Sequence, residues 1–162
     1  MKLYPLDNEA LGGRVHSITS RESTRRILTL SIALFSFLLA LSIYLLCRET
    51  SNLFYQVFVF ASVSPTIDVL RSSIPALPPW FIYSLPDGLW MLSFCILILT
   101  IWDFRRSREA IAWIIITIAI GGFLEFSQAL NILPGHFDWA DLAIMLIAVL
   151  LPFCFTHKSS YR

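Results

Sequence analysis

The sequence predicts an all-α polytopic membrane protein: four transmembrane helices, a short interfacial or re-entrant segment, and both termini in the cytoplasm. Three observations predict it. First, 57% of the 162 residues are hydrophobic and 14% are charged, against about 45–50% and about 25% in soluble domains. Second, the apolar residues are gathered into long runs, and mean hydropathy is +0.72. Third, Lys and Arg are distributed unequally between the connecting segments. A net charge of +1 leaves no basic footprint for nucleic acid, and an aromatic content of 14% excludes a disordered chain.

Residues 1–26 form a polar tail. Ile27 to Cys47 is an uncharged run between Arg26 and Arg48. At 1.5 Å per residue it covers about 31 Å, enough to cross a hydrocarbon core of about 30 Å. No small-x-small cleavage site follows, so this helix reads as an uncleaved signal anchor. Residues 48–84 form an external segment. Within it, Leu53 to Val63 is apolar but too short to span, and Pro65, Pro75, Pro78 and Pro79 follow. Asp68 and Arg71, three apart, suit a short surface helix. Trp80, Phe81 and Tyr83 suit an aromatic belt before the second span.

The second, third and fourth spans are predicted at 85–102, 110–128 and 139–156, followed by a C-terminal tail at 157–162. Ten Lys and Arg residues fall on one side, against Arg48 and Arg71 on the other. By the positive-inside rule both tails are cytoplasmic, and 48–84 and 129–137 are external. Cys47, Cys95 and Cys154 stand singly and read as packing residues, without the spacing of a disulfide framework or a zinc site.

Each of these three spans contains one carboxylate. Fifteen uncharged residues separate Asp87 from Asp103, Glu109 from Glu125, and Asp141 from His157. Each carboxylate therefore stands about 22 Å from the cytoplasmic boundary. Acidic groups at a common membrane depth are functional candidates, because an unpartnered charge is costly there. Gln128 shares a helix face with Glu125, Asp138 shares one with Asp141, and His136 lies just before the fourth span. Capping competes with function at two positions. Ser84-Leu-Pro-Asp87 has the form of a capping box, and Asp138 can serve as the N-cap of Asp138-Trp-Ala-Asp141. Glu125 has no such account: it sits near a helix C-terminus, where the dipole disfavours an anion, with no Lys or Arg within a turn.

These residues, in this order, resemble the VanZ-like family of small bacterial membrane proteins. The resemblance rests on Leu85-Pro-Asp-Gly-Leu-Trp90, on Glu125-x-x-Gln128, on the loop Leu133-Pro-Gly-His-Phe-Asp138, and on Asp141. It covers about Trp80 to Phe155. Where family members carry a Lys and a His near the start of the second span, this chain has Gly88 and Met91. The resemblance implies an envelope-related protein of the bacterial inner membrane and no particular reaction. It adds Trp90 to the binding candidates Gln128, His136 and Asp138.

The leading functional expectation is a non-enzymatic accessory protein or membrane-complex subunit, in contact with lipid and with other membrane-protein subunits. An enzyme acting on a lipid-linked envelope intermediate is the alternative, with Glu125, Asp87 and Asp141 as catalytic candidates. A small proton-coupled carrier or channel using Glu125 is the third. No metal site or cofactor is implied, although carboxylates without cationic partners could hold a divalent cation.

Overall fold

The computed structural model describes the backbone of residues 8–48, 64–133 and 137–156, and the side chains of 22–48, 66–133 and 137–156. The described residues form helices α1 (Asn8–Leu46), α2 (Ser64–Ser72), α3 (Pro79–Ile101), α4 (Arg108–Ala129) and α5 (Trp139–Phe153), with no strand among them. Three stretches, Glu22–Leu46, Pro79–Ile101 and Arg108–Ala129, are long and apolar enough to cross a membrane. The fourth expected span is a shorter apolar helix of 15 residues, about 22 Å long. The segment Leu53 to Val63 lies outside the described residues.

Two boundaries differ from expectation. The helix containing the first span starts at Asn8, so most of the polar tail continues the same helix. The second span starts at Pro79 and not near Leu85. Pro78 occupies its N-cap in extended backbone, and Pro79 opens the first turn, where a missing N–H is harmless. Pro86 consequently lies inside the helix.

α3 is the central helix. It packs along α1 on one side and α5 on another, and it meets α4 less extensively. Its buried residues therefore lie on more than one face: Met91, Cys95 and Leu99 on one, and Ser93, which reaches α1, on another. Met145, Ala148 and Val149 of α5 join Met91, Cys95 and Leu99 in one apolar cluster. α3 approaches α5 closely at Gly88, where a Cβ would collide with the Ile144 side chain. Gly121 faces Met91 and Met145, whereas the space beside Gly122 is open.

α1 docks on α3 through a stripe of small residues. Ala33, Ser36 and Ala40 are buried at helical spacing, a pattern that lets two backbones approach closely. The Ser93 hydroxyl crosses the seam and donates to the Ala33 carbonyl at 2.8 Å. Phe37 meets Trp90 edge-on at 4.5 Å between ring centroids.

Short connections tie the Arg26 end of the bundle. Asp103 and Phe104 turn the chain with φ of 51° and 56°, values uncommon outside glycine. Arg26 pairs with Asp103 at 2.6 Å, and the Arg25 guanidinium lies 4.8 Å from the centre of the buried Phe104 ring. Ser107 caps α4 by accepting from the Ala110 N–H at 3.1 Å. Cys95 is buried as a packing residue and Cys47 is half-buried, but Cys154 is exposed, contrary to the expectation of a packing role.

Candidate functional site

At the opposite end of the bundle α1 and α4 finish while α3 and α5 begin. Asp87 stands eight residues after the start of α3, Glu125 four before the end of α4, and Asp141 two after the start of α5. The three carboxylates meet there, each offering an oxygen within 4.8 Å of the others. Glu125 and Asp141 are 4% and 5% exposed, and Asp87 is partly buried. Glu125 Oε2 and Asp141 Oδ1 are enclosed and have no hydrogen-bond partner. The buried Ser84 hydroxyl lies beside Asp141 as its hydrogen-bonding neighbour.

Asp87 is not a helix cap, because α3 begins two turns earlier. It is instead the point at which α1 enters the site. The Tyr44 hydroxyl donates to Asp87 Oδ1, and the Arg48 guanidinium donates to Oδ2 at 3.0 Å. Arg48 also lies over the Tyr44 ring, 4.1 Å from its centre. Tyr44 follows Ala40 by four residues, so the small-residue face that docks on α3 continues into Tyr44, and Arg48 follows just past the end of α1.

Arg48 has a second task. Pro86 carries no N–H, so the Ile82 carbonyl, four residues earlier, has lost its helical donor. Arg48 Nε donates to that carbonyl at 3.2 Å, and its Nη2 donates to the Tyr83 carbonyl at 2.5 Å. One side chain thus fills the backbone gap left by the proline and neutralises the neighbouring carboxylate. Within a bilayer a helical proline is tolerated where another group restores the freed backbone partner. Arg71 of α2 completes this corner, donating to the carbonyls of Leu45, at 3.2 Å, and Arg48. Its charge there complements the C-terminal end of the α1 dipole.

The remaining predicted residues fall as follows. Asp138 is the N-cap of α5, accepting from the Ala140 N–H at 2.9 Å. Gln128 is half-buried on α4, one turn beyond Glu125. Trp90 lies on α3, stacked on Phe94 at 5.7 Å and edge-on to Phe37, which makes it part of the α1–α3 seam. His136 lies outside the described residues. Tyr44, Arg48 and Ser84 are site residues that spacing along the spans did not single out. The signal for the first two is the Ala33-Ser36-Ala40 stripe that leads to them.

Beside the carboxylates, an apolar groove of about 200 Å³ runs between α3, α4 and α5, lined by Met91, Ile118, Gly122, Leu142, Met145, Leu146 and Val149. Gly122 is one turn from Glu125, and Leu142 adjoins Asp141. Comparison of the chain with family models, curated proteins and solved structures finds no match.

Proposed function

We propose that the chain is a VanZ-like, multi-pass protein of the bacterial inner membrane that acts as a non-enzymatic, envelope-associated accessory or membrane-complex subunit. Its carboxylate-lined site lies near the outer leaflet, with both termini inside. The observation that carries this reading is the state of the cations around the acids. Arg48 and Arg71, the cations at this end among the described residues, are engaged by Asp87 and by backbone carbonyls. Neither is left pointing at a phosphate to be cleaved. The described side chains therefore supply no spare cationic clamp of the kind phosphoryl chemistry uses, and this favours recognition. The uncovered apolar face of α4, including Trp113, Ile120 and Phe123, offers contact to lipid or to a neighbouring subunit.

A second reading draws support from the apolar groove near Glu125 and Asp141, whose lining has the chemistry to receive an apolar chain. On that reading the chain is a membrane-embedded enzyme acting on a lipid-linked envelope intermediate, with Asp87, Glu125 and Asp141 in catalytic roles. Two measurements separate the readings. A photo-crosslinker at Trp113 or Ile120 in native membranes should trap a protein of defined mass. Purified protein in nanodiscs should release no phosphate from lipid-linked phosphates. Turnover that Glu125→Gln abolishes would overturn the non-enzymatic reading.

A further inference from the structure

We propose that Asp87, Glu125 and Asp141 form a binding site for one hard divalent cation of the Ca²⁺ or Mg²⁺ class. The argument begins with charge. Three carboxylates share the site with one guanidinium, leaving a formal excess of two negative charges. Arg48 balances Asp87, so the excess belongs to Glu125 and Asp141, the two acids that are at least nine-tenths buried.

Orphaned atoms supply the second, independent observation. Glu125 Oε2 and Asp141 Oδ1 are enclosed in the protein without a donor. Buried polar atoms almost always have a partner, and each exception calls for one. A pair of such atoms beside a third carboxylate calls for something positive between them. The donors are all oxygens, which selects hard cations over zinc or copper.

Size agrees as well. Calcium–oxygen distances of about 2.3–2.6 Å place three evenly spaced ligands about 4.0–4.5 Å apart. The three carboxylates each present an oxygen within 4.8 Å of the others, so a movement of a few tenths of an ångström by each lets one ion of this size touch all three. Magnesium, with oxygens at about 2.0–2.1 Å, needs the spacing to fall to about 3.5–3.6 Å, a larger contraction that favours calcium. Each ligand comes from a different spanning helix, so the ion would tie α3, α4 and α5 together at this end. α4 gains most, since it packs least on its neighbours.

The inference rests on the carboxylate-lined site proposed above, but not on whether that site is catalytic. The test uses the full chain in detergent, stripped of metal by chelation and titrated with Mn²⁺ alone, followed by electron paramagnetic resonance. One saturable Mn²⁺ per chain is expected, displaced by excess Ca²⁺. Glu125→Gln and Asp141→Asn should each weaken binding at least about tenfold. Asp103→Asn, at the other end, should leave it unchanged. A readout that needs no carboxylate variant is Tb³⁺ luminescence, excited through the adjoining Tyr44 ring in the wild type and falling on addition of Ca²⁺. No saturable Mn²⁺ in the wild type, or binding within twofold of wild type in both folded carboxylate variants, overturns the proposal. A crosslinked partner obtained without Mn²⁺ binding would sink the cation site and leave the subunit reading standing. Mn²⁺ binding together with turnover would do the reverse.

Discussion

Replacing Arg48 by alanine should be among the most damaging changes at this end of the bundle. The substitution removes a charged hydrogen bond to Asp87, two donations to backbone carbonyls and the stacking on Tyr44. One-sided loss of a buried ion pair costs about 3–5 kcal/mol. Here the two side chains keep 21% and 19% exposure, and hydrogen bonds between membrane helices average about 0.6 kcal/mol. Both facts pull the ion-pair share down to about 1–2 kcal/mol. Leaving the Ile82 carbonyl without a donor adds about 1 kcal/mol, so the total is about 2–3 kcal/mol. Unfolding in mixed detergent micelles, followed by far-UV circular dichroism, measures it. The reasoning makes two further demands. Asp87→Asn should reduce the cost of Arg48→Ala by about 1 kcal/mol, because the pair is then already broken. Pro86→Ala should recover about 1 kcal/mol in the Arg48→Ala background, because the restored N–H can reach Ile82. A loss below about 0.5 kcal/mol, or one that neither second substitution changes, would refute the double role of Arg48.

Other substitutions test the packing. Gly88→Ala should cost about 1–3 kcal/mol, as its methyl group meets Ile144, and Ile144→Ala should relieve part of that loss in a thermal melt. Gly122→Ala, with open space at its Cβ, should stay within about 0.5 kcal/mol of wild type or gain slightly from helix propensity. Asp138→Ala should cost about 1 kcal/mol and speed hydrogen exchange at the Ala140 amide, which the Asp138 carboxylate holds. Arg26→Ala should cost no more than about 1 kcal/mol, and less at high salt, because both members of that pair are about half exposed.

The common depth of the three carboxylates was legible from counting, because a helix rises by a fixed amount per residue. Asp87, Glu125 and Asp141 do meet. Asp138 as the cap of α5 was legible for a similar reason, since caps are local. The start of α3 was not. Ser84-Leu-Pro-Asp has the form of a helix beginning, and Pro86 fits a first turn as well as it fits an interior position that another side chain supports. Only the tertiary contact with Arg48 decides between the two. The pairing of Tyr44 and Arg48 with Asp87 was not legible, because hydropathy describes α1 as a uniform anchor. Which face of a uniform helix meets its neighbour depends on small residues such as Ala33 and Ala40, and their signal is weak beside the surrounding Leu, Ile and Phe. The positive charge beside Asp87 comes from Arg48, two residues past the end of α1, and not from its own helix.

The link between Arg48 and Pro86 bears on how the chain assembles in the bilayer. α1 is synthesised first, and by itself it ends in a cation that belongs at the membrane surface. α3 brings a carboxylate and a carbonyl without a donor, both unfavourable in hydrocarbon. Each helix alone carries an unmet electrostatic demand, and docking meets both at once. Docking of α1 on α3 thus removes both penalties together, and in the folded bundle each of the two helices stabilises the other.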